Sequence, residues 1–157
     1  MIVVADTSPI NYLILIEEIE ILPKMYGTVT IPPAVHDELL CLSAPATVRT
    51  WIGQSASWLK VRAPANTPDE MLAKLDPGER DAILLAEELR ADQLIVDDRE
   101  GRREAEKRGI SVMGTLGVLQ EAAILRLLDL RLAVKRLQGT NFYLAPEVLA
   151  RLLKDQF

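Results

Sequence analysis

The stretch Ile2-Val3-Val4-Ala5-Asp6-Thr7-Ser8-Pro9 decides how the rest of the chain is read. Ile2 to Ala5 is a short run of apolar, largely β-branched residues, the signature of a buried strand. Asp6 breaks the run, and Pro9 suits the first turn of a helix. The apolar residues that follow predict one helix continuing to Ile21. A buried strand feeding directly into a helix is the opening of a βα unit.

The same alternation recurs downstream. Val29–Ile31 reads as a second strand, and Pro32-Pro33 ends it and opens a helix carrying Val35, Leu39 and Leu40. Residues 46–55 predict a short helix and 58–61 a short strand, followed by a Pro- and Ala-rich loop over 63–68 that is too short to separate two domains. Asp76-Pro77-Gly78-Glu79 starts a strong helix running to about Arg90. Gln93–Val96 is the next strand, ending at Asp97-Asp98. Arg99–Arg108 is a charged helix stopped by Gly109, and 110–113 is a fifth strand. Helices are expected over 115–128, 130–137 and 146–153, with no internal repeat. Strands alternating with helices give an α/β fold: a mostly parallel central sheet with helices on both faces. The 157 residues are expected to form a single domain, with 115–157 as a helical C-terminal extension.

In a parallel sheet of this kind, ligands gather beyond the carboxyl ends of the strands. Asp6 directly follows the first strand, and Asp97 and Asp98 directly follow the fourth. Glu38, in the helix after the second strand, and Glu79, in the first turn of a later helix, can reach the same edge. Carboxylates crowded together repel one another and take up protons unless a cation compensates. His36 is the only histidine and Cys41 the only cysteine, so a metal here must be held mainly by oxygen, which points to magnesium or manganese. Such a site can activate water and stabilise charge on a phosphate. Each acid also has a plainer role: Asp6 as a helix N-cap, Asp76 and Glu79 as a capping box, Glu38 as a solvated residue, Asp97-Asp98 as a turn. The functional reading rests on their meeting at one edge.

Bulk composition narrows the classes further. The net charge of −5 counts against strong nonspecific nucleic-acid binding, although basic residues can still be grouped locally. Arg99, Arg102, Arg103, Lys107 and Arg108 form such a group; it reads as a solvated helix face, or with Arg99 or Arg102 guiding a phosphate. With 4% aromatics, a binder built on base stacking is disfavoured, and Trp51 and Trp58 read as packing residues. No apolar run is long enough to span a membrane, and the start lacks the basic region of a signal peptide, so a cytoplasmic protein is expected. From Thr115 onward, Val118, Leu119, Ala122, Ala123, Leu125 and Leu128 cover more than one stripe, which predicts burial in the core or in a homodimer or partner contact.

These residues resemble the PIN-domain family. The matching pieces are Val-Val-Ala-Asp-Thr-Ser at 3–8, Ile-Pro-Pro-Ala-Val-His-Asp-Glu-Leu at 31–39, Gly-Glu-Arg-Asp-Ala-Ile-Leu-Leu-Ala at 78–86 and Leu-Ile-Val-Asp-Asp-Arg-Glu-Gly-Arg at 94–102. Gly-Thr-Leu-Gly-Val-Leu at 114–119 is similar to a subgroup of small prokaryotic PIN-like proteins, akin to the VapC-type toxins of toxin–antitoxin pairs. The resemblance implies a three-layer α/β/α fold and a magnesium- or manganese-dependent endoribonuclease whose RNA-cleaving site is an acidic cluster. It implies Asp6 as the first acid, Glu38 as the second, Glu79 where the family more often has Asp, and Asp98 or Asp97 as the last. Asp6, Asp97 and Asp98 are the implied metal ligands, with Thr7 or Ser8 as a small hydroxyl beside the metal. A cognate antitoxin is the implied protein partner.

Two other classes share parts of this pattern. A phosphoacceptor signalling domain also places acids at strand ends, but it usually pairs acids after the first strand and carries a Lys after the last. Here Asp6 stands alone and Gly114-Thr115 follows the fifth strand. A catalytically silent PIN-like binding module is the other alternative, kept open by Glu79.

Overall fold

The computed structural model describes residues 1–154. The chain alternates strands and helices. It runs β1 (Val3–Ala5), α1 (Thr7–Leu15), α2 (Ile21–Tyr26), β2 (Val29–Ile31), α3 (Pro33–Leu40), α4 (Ala46–Ile52) and β3 (Leu59–Val61). It continues with α5 (Glu70–Ala73), α6 (Pro77–Leu89), β4 (Gln93–Ile95), α7 (Arg99–Lys107) and β5 (Val112–Met113). The last described elements are α8 (Thr115–Ile124), α9 (Leu130–Gln138) and α10 (Pro146–Lys154). The five strands form one sheet in the order β3-β2-β1-β4-β5, and every pairing is parallel.

The strands are too short to hold a sheet together by hydrogen bonds alone; burial on both faces does so. The period-two alternation of side chains assigns each strand residue to a layer. Val3 and Ala5 of β1, with Val29, Ile31 and Ile95, face a core shared with α1, α3, α4, α8 and α9. Val4, Leu94 and Val96 face the opposite core, against Ile83 and Leu85 of α6, Ala105 of α7 and Leu72 of α5. The result is three layers, helices over sheet over helices.

Several helix ends differ from the sequence reading for one common reason. The helix expected to run to Ile21 stops at Leu15, where Glu17 takes a left-handed φ of 62°. Glu18 N–H reaches Leu13 O at 2.8 Å and Glu17 N–H reaches Ile14 O at 3.0 Å, the paired bonds of a Schellman cap. Arg126, at φ 60°, closes α8 the same way, with Leu127 N–H on Ala122 O at 2.8 Å; α8 therefore ends at Ile124 and not Leu128. Gly109 provides such a cap for α7, as its sequence suggested, but Glu17 and Arg126 carry no sequence signal for a left-handed turn. The short helix α5 was not anticipated; Asp69 caps it by accepting from Leu72 N–H at 3.0 Å.

The C-terminal helices are only partly apolar on the outside. Val118, Leu119 and Ala122 are buried in the core with Leu130, Val134 and Leu137. Leu125, expected to be covered, is 55% exposed, and its neighbour Ile124 is 76% exposed. No helix among the described residues is long and apolar enough to cross a membrane.

Strand order locates the site. From β1 the chain moves outward to β2 and β3, then crosses back to place β4 on the other side of β1. The switch point therefore lies between β1 and β4, where loops leaving the two carboxyl ends diverge and open a crevice. Ala5 pairs with Ile95, so Asp6 and Asp97-Asp98 emerge side by side at this crevice.

Candidate active site

Asp6 is the centre of the site. It sits immediately after β1, its backbone N–H continues the ladder to Ile95 O at 2.9 Å, and it is 5% exposed. It occupies the N-cap position of α1 but makes no side-chain capping bond. Burial, reinforced by Glu38, Asp97 and Asp98, pushes its carboxyl up to about 7, although the Thr7 N–H offsets part of the rise.

Glu38 arrives from the last turn of α3. Thr7 Oγ1 donates to its Oε2, and Gly78 N–H in the first turn of α6 donates to its Oε1 at 3.1 Å. Two elements thus aim the side chain at the crevice although Glu38 itself is exposed. A Cβ at Gly78 would stand 2.6 Å from Glu38 Oε1, so a larger residue here would make the Glu38 carboxylate shift.

Glu79 does not form the capping box its position suggested. Asp76 is the N-cap residue of α6 without a side-chain bond, and Glu79 turns instead towards Asp98 and the first turn of α7. Its Oε2 is buried with no hydrogen-bond partner, and a Cβ at Gly101 would come within 2.7 Å of it. Burial first, then a side-chain hydrogen bond with Asp98 and the charges of Asp98, Asp6 and Asp76, pushes Glu79 up to about 8.

The two acids after β4 have separate environments. Asp97 Oδ1 accepts from Thr115 N–H and its Oδ2 from the Thr115 hydroxyl, both at 2.7 Å. Burial raises its proton affinity, while Thr115 and the nearby Arg102 guanidinium act against the rise. Asp98 is exposed, opens α7 as its N-cap residue, and faces Glu79.

Of the sequence candidates, Asp6, Glu38, Glu79, Asp97 and Asp98 converge, and Thr7 joins them through Glu38. Ser8 is half-buried on α1 without a contact to the acids. Arg99 is exposed on α7 beside them, and Arg102 lies against Asp97. His36 is half-buried on α3 and takes no part. Trp51 and Trp58 pack on each other at 5.7 Å between ring centroids, away from the crevice. Sequence reasoning gave no role to Thr115 or to Gly78 and Gly101; the trace they left was that Gly78, Gly101 and Thr115 all lie in the stretches that carry the resemblance.

These groups suit a hard divalent cation. The donors are oxygens, two acids hold protons they would shed to a cation, and Glu79 Oε2 has no other partner. Among the described residues no three His, Cys, Asp or Glu side chains form a compact ligand set. The first residues of α1, α6 and α8 offer backbone N–H groups to Asp6, Glu38 and Asp97, and Asp98 opens α7, so helix N-termini favour the negative charge gathered there.

Fold and site together define a parallel α/β protein with an acidic centre at its switch point. The family model described as DUF3368: PIN domain matches residues 2–156, so the chain belongs to the PIN-domain family. PIN domains are typically metal-dependent nucleases. Among solved structures, the chain is similar to a PilT N-terminus domain protein from the hyperthermophilic archaeon Sulfolobus solfataricus P2. The TM-score is 0.57 and the identity 21%, over 78% of this chain and 93% of that one. At that identity the likeness shows the fold alone. No curated protein matches significantly.

The raised carboxyls dictate a pH dependence. Asp6 and Glu79 move from 3.8 and 4.5 to about 7 and about 8, so between those limits the folded state binds more protons than the unfolded chain. Their contribution to stability therefore falls as pH rises through that window. In chelator, the melting temperature is expected to drop from about pH 5 to about pH 8, and magnesium should reduce the drop. A shallower slope in Asp6→Asn, with the remainder coming from Glu79, would assign it to this cluster; an unchanged profile would place its origin elsewhere.

The two acids after β4 should separate by stability. Asp97→Ala strips both acceptors from the fully buried Thr115, at a cost of about 1–3 kcal/mol. Asp98→Ala, at an exposed position, should stay within about 0.5 kcal/mol. Urea denaturation of both variants measures the difference.

Proposed function

We propose that this protein is a magnesium- or manganese-dependent endoribonuclease, acting in the cytoplasm as the toxin-type member of a toxin–antitoxin pair. The observation that carries the chemistry is the convergence of Asp6, Glu38, Glu79 and Asp98 at the switch point, with Glu79 Oε2 buried and unpartnered. The toxin reading and the RNA substrate rest on the sequence resemblance, and the cytoplasmic setting on the expectation drawn from the sequence.

Asp6 and Asp98 would hold the cation, with Glu79 reaching it directly or through water. A bound cation would supply charge for the phosphodiester oxygens and acidify a coordinated water. Glu79 Oε2 is the unpartnered atom suited to receive a proton from an attacking water. Thr7 and Gly78 fix Glu38, which sustains the negative field without moving. Asp97 anchors the start of α8 through Thr115 and carries Arg102 beside the site.

Incubation with single-stranded RNA should give cleavage with magnesium or manganese and none in EDTA. Asp6→Asn should reduce cleavage by at least about a hundredfold while melting no lower than the parent in chelator, because it removes one member of a repulsive set. Cleavage surviving complete chelation would sink the mechanism.

The same reading extends to partners: a homodimer, with an antitoxin as the alternative occupant of the apolar surface. Ile124 and Leu125 at the end of α8 and Leu132 on α9 are exposed large apolar residues, 76%, 55% and 46% accessible. Exposed apolar surface of this kind is most often covered by a two-fold contact. Light scattering should report twice the monomer mass, falling towards the monomer in Ile124→Glu. A clean monomer at high micromolar concentration would remove the homodimer.

A further inference from the structure

Beside the acidic centre lies a cleft of about 850 Å³ between α7, β5, the start of α8 and the chain leading into α10. Asp97 and Arg102 form the wall it shares with the acidic centre. Away from them it is lined by Arg99, Arg103 and Arg151, and by the ring of Tyr143. Together with Arg102 this puts four arginines and two acids, Asp97 and Glu106, in the lining of the cleft, on a chain whose net charge is −5. Positive charge is concentrated here against the sign of the whole molecule.

The arginines are not spent on the fold. Arg108, on the same helix, is bound to Asp69, Glu87 and Glu104 and is 13% exposed. Arg99, Arg103 and Arg151, by contrast, make no ion pair or side-chain hydrogen bond among the described residues. Tyr143 is 82% exposed, yet the segment holding it is pinned. Tyr12 of α1 donates to Asn141 Oδ1 at 2.7 Å and meets Phe142 edge-on, with ring centroids 4.9 Å apart. The Thr140 hydroxyl accepts from Phe142 N–H at 3.1 Å. An aromatic ring held in water by a fixed segment, among free guanidinium groups, is arranged for a ligand that offers phosphates and a flat face together.

We propose that this cleft binds the single strand of RNA leading away from the cleaved bond, with Arg103 and Arg151 on its phosphates and Tyr143 stacked on a base. The inference deepens the nuclease reading and rests on it for the identity of the strand. Guanidinium groups match phosphate oxygens in a fixed fork. A cleft of about 850 Å³ accepts a few nucleotides of single strand. One ring is too little for a stacking platform, so the arginines supply most of the affinity and Tyr143 favours unpaired bases. Arg99 and Arg102, nearest the acids, carry the strand from the crevice into the cleft, and residues 141–151 become part of the substrate site.

The test is fluorescence anisotropy of the full chain with a short labelled single-stranded RNA in EDTA, so that metal-dependent hydrolysis is silent. Arg103→Ala with Arg151→Ala should weaken binding about tenfold or more and lower the slope of log K against log salt by about 1.4. Tyr143→Ala should weaken binding about fivefold with the slope unchanged. The paired Arg→Lys variant should recover the slope. All three positions are exposed, and equal melting temperatures verify the fold. Unchanged affinity and slope in the double variant would overturn the proposal. So would tighter binding of a duplex, or binding of polyglutamate in place of RNA, which would mark a protein-docking surface.

Hydrolysis of bis(p-nitrophenyl) phosphate by the unaltered chain with manganese reads the chemistry separately. Its absence, with RNA binding lost in the double variant, would end the nuclease reading and leave the cleft standing. Its presence, with RNA binding unaffected by the variant, would end the cleft proposal alone.

Discussion

Mutual repulsion among carboxylates at the junction of β1 and β4 is the constraint on which the rest of the structure depends. Asp6 is nearly inaccessible to water and lies within the field of Glu38, Asp97 and Asp98, so its ionised form is disfavoured at the place where the fold puts it. A protein that needed only stability would not place an acid there, since an apolar residue at the end of a buried strand carries no such penalty. The fold tolerates the cluster by two means: protons held by Asp6 and Glu79, and helix N-termini directed at the acids from several sides.

The surrounding architecture serves that arrangement at close range. Gly78 lets Glu38 lie against the first turn of α6, and Gly101 lets Glu79 lie against the first turn of α7. Either contact would be a clash with any larger residue. Thr7 and Thr115 use hydroxyl groups to fix Glu38 and Asp97, two of the side chains that crowd Asp6. Preorganisation of this kind is what a charge-stabilising site requires, because the reorganisation energy is spent on folding and not during the reaction.

The charge distribution extends the same logic outward. An acidic centre repels a polyanionic strand, and an overall charge of −5 does nothing to help. Free arginines in the neighbouring cleft offset that repulsion where the strand would have to lie, and Arg102 links cleft to centre through Asp97. Arg108, which follows them on the same stretch, is instead consumed in tying the end of α7 to Asp69 and Glu87 across the surface.

The sequence by itself determined the layered architecture and the identity of the acids. Short β-branched runs and apolar helices leave few alternatives to a parallel sheet covered on both faces, and an Asp placed directly after each of two buried strands must emerge at the carboxyl edge. Only the tertiary structure decided which strands are neighbours, and hence that Asp6 meets Asp98 and that Glu79 turns away from its capping position. Those facts depend on contacts between residues tens of positions apart, such as Glu38 with Gly78, which leave no local periodicity. The left-handed residues Glu17 and Arg126 were illegible for a related reason: the conformation is imposed by packing of the helices they join, against the preference of the residue itself. The cleft was illegible too, because Arg103 and Arg151, far apart in the chain, come to line one cleft only in the folded molecule.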